Sequence, residues 1–540
     1  MKAMLAGLCL ALLAGSASAR PVGSTQMPMI DRTGIRPMLM VDGAPFFMLG
    51  GEVNNSSNTP LLLPKVWSVA ARLGANTVAM PVGWGQIEPD EGRYDFSFVD
   101  ILLQQARAHG QRLDLVWFAT WKNGGIGSAP GWVRADHVRF ARDRDEQGQE
   151  LGAFSPFGSQ TLAADSRAFA ALMRHLAIVD KTHVAIVVQV ENEPGLFGLP
   201  RDHGAAANAA YALPVPTALA QAFGHAAGSW RDVFGPLAEN AFMSWHIGRY
   251  VDTVAAAGKA ELPLPMYVNA AVSDPLLPTP NPAWVSSGSP DYNMIGVWKI
   301  AAPHLDWVSP DIYWPDWPRA RAFLDAYNRS DNPLMIPEIG NAPAFARLFW
   351  AVVGRGGIGF SPFGMDDTGY VNYPLGTKVL DAATIDAFAA NYRFFAPNAA
   401  GWLRLARTYP VWGTARDTGQ DQQQIFGPWS VTVRYGQWMI GDESWTFVPV
   451  DPSPNATRPV GGAAVLQLAP GDFLVMGRDV RIAFSRPDHG RWEYERVETG
   501  RLLPSGHWQP SYPLGGDQTD YGINIGNEPM LVRVRLTAVH

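Results

Sequence analysis

The stretch Val184-Ala185-Ile186-Val187-Val188-Gln189-Val190-Glu191-Asn192-Glu193-Pro194-Gly195 decides the fold. Its first five residues are all apolar and four of them are β-branched, which reads as a strand rather than a helix. A strand with no polar face must be covered on both sides, the condition of a parallel sheet flanked by helices. The segment before it supplies such a helix: Asp165 to Leu176 sets Phe169, Leu172, Met173 and Leu176 on one face. The run then ends in acids and a Pro-Gly turn.

Seven more runs of the same kind lie on either side, at Phe46 to Val53, Asn76 to Val82, Arg112 to Phe118, Leu264 to Ala270, Asp306 to Tyr313, Pro333 to Gly340 and Gly357 to Gly364. Helical patterns alternate with them. Pro64 stands in a first turn, Val66, Val69, Ala70 and Leu73 recur at helical spacing, and Gly74 stops the helix. Eight βα units predict a TIM (β/α)8 barrel of the α/β class. A doubly wound open sheet is the alternative, but no G-x-G-x-x-G follows the first strand.

Past about residue 390 the texture becomes short alternating runs between Gly, Pro and Asp: Trp429 to Tyr435, Trp438 to Ile440, Trp445 to Val450, Ala463 to Leu468, Phe473 to Met476, Val480 to Phe484 and Met530 to Leu536. These predict an all-β, sandwich-like accessory domain. The expected organisation is a signal peptide over 1–19, a catalytic barrel over 20–388 with a loose start over 20–30, and a β-rich domain over 389–540.

The 540 residues are 47% hydrophobic and 17% charged, which excludes a disordered or fibrous chain. The net charge of -7 comes with no basic stripe, so nucleic acid is not an expected partner. Twenty Trp, 15 Tyr and 25 Phe suit the apolar faces of sugars as well as a core. Residues 1–19 carry Lys2, an apolar run from Ala3 to Ala14 and the small-residue site Ser16-Ala17-Ser18-Ala19, the pattern of a cleaved leader. The expectation is an exported bacterial protein, periplasmic or secreted, with no membrane segment after cleavage. Cys9, inside that leader, is the only cysteine. The remaining chain therefore forms no disulfide and offers no thiol nucleophile. The 11 His show no zinc-ligand spacing, and neither a G-x-S-x-G elbow nor a phosphate-binding Gly-rich loop is present, so no metal or cofactor is expected.

What remains is acid/base chemistry. Reacting groups of a TIM barrel lie at the C-terminal ends of its strands. Run four ends in Glu191-Asn192-Glu193, and run seven, Met335-Ile336-Pro337-Glu338-Ile339-Gly340, carries Glu338. Desolvation and a second nearby carboxylate raise a carboxyl pKa, which lets one acid stay protonated while its partner is ionised. Glycoside hydrolysis needs such a pair. Alternation alone leaves Glu191 and Glu193 equivalent, because residues two apart share a face.

Asn192-Glu193-Pro194 and Pro337-Glu338-Ile339-Gly340 resemble the acid/base and nucleophile motifs of the large glycosidase clan built on TIM barrels. Gly74-Ala75-Asn76-Thr77-Val78, the stretch from Glu88 to Phe96, and Gln189 to Glu193 are similar to glycoside hydrolase family 35, the β-galactosidases. The resemblance runs over most of residues 30–365, and Pro470 to Val475 resembles the β domain of a bacterial subgroup. It implies Glu193 as acid/base, Glu338 as nucleophile and Asn192 as the residue bonding the sugar 2-hydroxyl.

Where family members commonly carry Cys-Ala-Glu-Trp after strand three, this chain has Ala119-Thr120-Trp121-Lys122-Asn123-Gly124. Gly51-Glu52-Val53-Asn54-Asn55 replaces a frequent His-Tyr pair after strand one, and Met80-Pro81-Val82-Gly83-Trp84 lacks a usual Tyr. Lys122, Asn123 and Glu52 are therefore expected to rebuild the sugar pocket, and Tyr313 to steady Glu338 by a hydrogen bond. Trp84, Trp298 and Trp314 are the candidate stacking platforms. The resemblance implies an exported, retaining, exo-acting β-galactosidase on oligosaccharides or plant wall polysaccharide of the xyloglucan type. The rivals are the same chemistry on a β-glucoside, α-L-arabinopyranoside or β-glucosaminide, and a carbohydrate-binding protein without catalysis.

Overall fold

The structure, a computed structural model, describes residues 24–277, 286–419, 421–438 and 451–539. The leader over 1–19 and, apart from Trp438, the runs at Trp438–Ile440 and Trp445–Val450 lie outside the described residues.

Eight parallel strands close into a barrel: β1 (Met48–Glu52), β2 (Thr77–Gly83), β3 (Arg112–Lys122), β4 (Ala185–Asn192), β5 (Met266–Ala271), β6 (Trp307–Ile312), β7 (Met335–Ile339) and β8 (Gly359–Pro362), with β8 paired back to β1. The helices that follow them in turn are α1 (Leu63–Leu73), α2 (Ser97–Ala108), α3 (Ser159–Val179), α4 (Ala238–Glu261), α5 (Ile295–Ala301), α6 (Trp317–Tyr327), α7 (Leu348–Val353) and α8 (Ala382–Phe395). The cause is visible in α1, where Pro64 sits in the first turn. Gly74 ends the helix at φ 74°, with its N–H directed to the carbonyls of Ala70 and Ala71.

Regular structure begins within the stretch expected to be loose, at Met29, while residues 20–23 lie outside the described residues. Met29–Asp31, Met38–Val41 and Ala44–Pro45 form a small antiparallel sheet. Leu39 and Val41 from this sheet pack with Met48, Val187, Tyr267, Trp307 and Met335. Those residues come from strands on opposite sides of the barrel, so they meet only in its interior, and the sheet plugs the end remote from the strand C-termini.

The expected break at 388/389 falls inside α8. The Tyr392 hydroxyl lies 2.9 and 2.6 Å from the carbonyl oxygens of Gly50 and Phe360, which ties the far end of that helix to the barrel. A further helix, α9 (Ala399–Ala406), donates the Trp402 indole hydrogen to the Val353 carbonyl.

The rest is all-β. A six-stranded antiparallel sheet includes β9 (Val411–Ala415), β10 (Gly462–Ala469), β11 (Asp472–Arg478) and β12 (Met530–Ala538). A four-stranded sheet runs from Gln422 to Ile525 through Trp429–Tyr435 and Val480–Ser485. Val465, Phe473, Val475, Val532 and Val534 meet Val431, Val433 and Ile482 between the sheets, as a sandwich requires. Their alternates Ala464, Leu466, Leu474, Met476 and Leu531 join the barrel's own core. β10 and β11 of the six-stranded sheet are thus buried on both faces. The seam is tight: a Cβ on Gly354 would lie 2.3 Å from Gly413 Cα and 2.5 Å from the Trp412 carbonyl. Among the described residues no helix is long and apolar enough to cross a membrane.

Candidate active site

The strand ends converge on a buried cluster of acids. Glu338 lies in β7, one residue before its end, and Glu193 follows β4 directly; they are 7% and 8% exposed. One carboxylate oxygen from each, together with one from Asp311 of β6, lie within 4.8 Å of one another. Glu52, at the end of β1, joins them close enough for its charge to act on Asp311 and Glu338 to act on it.

Two backbone irregularities aim these side chains. Met335 packs on the barrel interior and Glu338, three residues later, also faces inward, although regular alternation puts residues three apart on opposite faces. The β7–β8 pairing shifts register between Ile336 and Ile339 and supplies the odd residue. In the strand-four run, Glu191 and Glu193 both have left-handed backbones, at φ 64° and 46°. The ambiguity between them is resolved by this geometry. Glu193 enters the cluster, whereas Glu191 accepts the Trp121 N–H at 2.8 Å and turns to Asp165 on α3. Asp165 in turn accepts from Trp117 at 2.9 Å and from Thr120 at 2.6 Å. Burial and then Asp165 hold the Glu191 carboxyl well above the usual range.

Burial is also the main reason the Glu338 carboxyl is pushed up to about 7, with Glu193 adding to it. Lys122 and the Tyr313 hydroxyl, which donates to Glu338 Oε1, pull in the other direction. Glu52 and Asp311 are held well above the usual carboxylate range, by burial first and then by Glu338. Among the described residues the site therefore sets four acids against the Lys122 ammonium and retains protons at neutral pH.

The other expected residues fall into three groups. Asn192 is wholly buried; its Nδ2 donates to Asn123 Oδ1 at 2.8 Å, and the Lys122 ammonium donates to the same oxygen. Asn192, Asn123 and Lys122 thus form one chain at the mouth of strands three and four. Lys122 also stands 5.0 Å over the Phe118 ring and lines a cavity of about 430 Å³ with Asn55, Gln86, Ser128 and Arg134. Glu52 and Tyr313 sit in the cluster itself.

Two of the proposed stacking platforms are not platforms. Trp84 is fully buried and donates its indole hydrogen to Glu88 Oε2 at 2.8 Å; Trp298, also fully buried, donates to the Gly288 carbonyl at 3.1 Å. Each begins or belongs to a helix and faces the core, so neither ring is open to a sugar. Trp314 is partly exposed beside Tyr313, with Phe323 stacked 5.8 Å away.

Reading the sequence missed Asp311 and Asn269. Asn269 Oδ1 accepts the Glu193 N–H at 2.8 Å, while its Nδ2 donates to Asp311 Oδ2 at 2.7 Å and to Asn192 Oδ1 at 3.2 Å. The available signal was Asn269 inside the run Tyr267-Val268-Asn269-Ala270, and an acid, Asp311, inside the run Trp307-Val308-Ser309-Pro310-Asp311-Ile312.

The glycoside hydrolase family 42 model, described as β-galactosidase, matches residues 64–217. A domain of unknown function, DUF5597, matches residues 388–526. Residues 64–217 are thus similar in sequence to a β-galactosidase family of glycoside hydrolases. The matching family model is 42, not the family 35 expected from the motifs. β-Galactosidase 11 of Arabidopsis thaliana is 27% identical over 119 residues, 21% of this chain and 14% of that protein. β-Galactosidase 12 of Oryza sativa subsp. japonica is 26% identical over 165 residues, 29% of this chain and 17% of that one. The matched segments span less than a fifth of these curated relatives. Among solved structures, the β-galactosidase from Rahnella sp. R3 superposes with TM-score 0.45 and 15% identity, over 67% of this chain and 60% of that one. The catalytic domain of the Paenibacillus polymyxa β-amylase gives 0.43 and 15%, over 62% and 96%.

Proposed function

We propose that the chain is an exported, retaining, exo-acting β-galactosidase of the family 35 type that releases terminal β-galactosyl groups from oligosaccharides or wall polysaccharide. The observation that carries this reading is the approach of Glu193 and Glu338, with carboxylate oxygens within 4.8 Å. Retaining enzymes set their two carboxyl groups about 5 to 5.5 Å apart, whereas inverting ones leave about 6.5 to 9.5 Å for a water.

In this mechanism Glu338 attacks the anomeric carbon as Glu193 gives its proton to the leaving oxygen. The C–O bond to the leaving group breaks and a glycosyl ester forms on Glu338. Glu193, now a carboxylate, takes a proton from water, whose oxygen attacks the same carbon and frees Glu338. Two inversions return the original configuration. The partition of roles follows the surroundings: Tyr313 and Lys122 favour the anion on Glu338. In this reading Asn192, held between Gln189, Asn269 and Asn123, offers its second amide hydrogen to a sugar hydroxyl.

Proton NMR of an aryl β-D-galactoside during hydrolysis tests the proposal, with β-galactose expected to appear before α-galactose. Early α-galactose would remove Glu338 from its nucleophile role. Lys122, Asn123 and Glu52, which replace the family's usual sugar contacts, favour a second reading with the same chemistry on another sugar. A panel of aryl glycosides separates the two. A binding protein without catalysis would leave every glycoside intact.

A further inference from the structure

Asp311 occupies the centre of the acid cluster, yet the two-carboxylate mechanism has no use for it. It is 2% exposed and has no Lys, Arg or His in ion-pair contact among the described residues. In the barrel it is the lateral neighbour of Glu338, its Cα partner across the β6–β7 ladder. Its Oδ2 accepts from Asn269 at 2.7 Å. Its Oδ1 is buried and finds no N–H or hydroxyl donor, and the Asp311 carboxyl as a whole stands in hydrogen-bonding reach of the Glu193 carboxyl, with one oxygen of each within 4.8 Å. Two carboxyl groups in hydrogen-bond contact need a hydrogen between them. Asn269 leaves one place on Asp311 for that hydrogen. Both of its amide hydrogens are engaged, on Asp311 and Asn192, and its oxygen takes the Glu193 N–H. Asp311 Oδ2 is therefore an acceptor, and Oδ1 is left to carry the proton toward Glu193.

We propose that Asp311 is a positioning residue that stays protonated through the cycle, donating from Oδ1 to the Glu193 carboxyl while Asn269 holds its other oxygen. This inference rests on the acid/base reading of Glu193. Before proton transfer the Asp311 hydroxyl bonds one Glu193 oxygen and leaves the other to face the leaving group. After transfer the same hydrogen bond stabilises the Glu193 carboxylate, and no proton leaves Asp311 at either stage. The groups acting on Asp311 are Glu193, Glu338 and Glu52 among the acids, and the phenols Tyr267 and Tyr327 are close enough to feel its charge. Burial and these acids keep it neutral.

The test is a pair of variants. Asp311→Asn keeps one acceptor for Asn269 and one donor for Glu193, so it should hold kcat within about 3-fold of wild type. Asp311→Ala removes the donor to a charged group and should lower kcat about 10- to 100-fold with little change in KM. Its alkaline limb should move to higher pH, because a donor to the carboxylate lowers that carboxyl's pKa. Equal loss in both variants would mean that the Asp311 charge is what matters and would overturn the proposal, as would wild-type rates in both. Infrared spectroscopy at pH 7 supplies a readout independent of turnover: the wild type should show a carboxylic C=O band that Asp311→Asn lacks. An unchanged band would refute a protonated Asp311 even if Asp311→Ala were too unstable to assay. A chain inactive on every glycoside would instead count against the acid/base reading and leave the infrared result standing.

Discussion

The phenolic hydroxyl of Tyr313 donates to Oε1 of Glu338 across neighbouring strands of the barrel. Tyr313 follows the end of β6 and Glu338 lies in β7, so the parallel register of those strands delivers donor to acceptor. The bond favours the ionised carboxyl, against burial that pushes it up to about 7. Tyr313→Phe should therefore raise the acid limb of kcat/KM to higher pH and lower its plateau about 10- to 100-fold, the worth of one hydrogen bond to a charged group. A pH–rate profile of the two proteins checks both.

Glu338 also links stability to pH. Its carboxyl is raised from 4.5 to about 7 in the fold, so the folded state binds more protons than the unfolded one between those values. The stability this group contributes is fully present below pH 4.5 and is lost as pH rises through about 7. Glu338→Gln escapes that loss. It should be more stable than wild type at pH 8 by on the order of 3 kcal/mol, with the gap closing toward pH 4.5. Denaturant titrations of both proteins at the two pH values measure it, and the same variant should show no turnover.

Gly354 and Gly413 bring the barrel and the sandwich into backbone contact. A Cβ at Gly354 meets only main-chain atoms, at 2.3 to 2.6 Å, which cannot swing aside. Gly354→Ala should destabilise the chain by about 1 to 3 kcal/mol or more through overpacking at this seam. Thermal unfolding reports the loss. Gly152, where a Cβ would have open space and the backbone is not left-handed, lies outside this seam and is the control position.

Trp84 is a core residue by its contacts. Trp84→Phe removes the indole hydrogen from the buried Glu88 carboxyl, whose other oxygen accepts the Gly92 N–H at 2.8 Å. The expected result is a loss of about 1 to 3 kcal/mol in stability with KM unchanged. A raised KM with unchanged stability would return Trp84 to the sugar pocket.

The barrel and its two acid-bearing strands were legible because they are local properties. An apolar run buried on both faces, a helix with one apolar face and a glycine stop are each written within a dozen residues, and eight repeats of them have few ways to pack. Glu193 and Glu338 stood out because each is an acid at the end of such a run. The β sandwich was legible for a similar reason, since Val465, Phe473 and Val475 alternate with neighbours facing the other way.

The tertiary structure decided the rest. Glu191 and Glu193 look alike along the chain, and it took left-handed backbone at both residues to send one toward α3 and the other into the cluster. Trp84 and Trp298 look like open aromatic rings until helix packing covers them. Asn269 and Asp311 are ordinary polar residues in their own strands. They gain meaning only when the barrel sets β5 and β6 between β4 and β7, so that groups 76 and 118 positions along the chain from Glu193 meet a carboxyl that must be held. Short-range patterning determines which segments are strands. Lateral register, bulges and closure determine which of their side chains share one volume, and those arise from contacts that no local stretch of sequence contains.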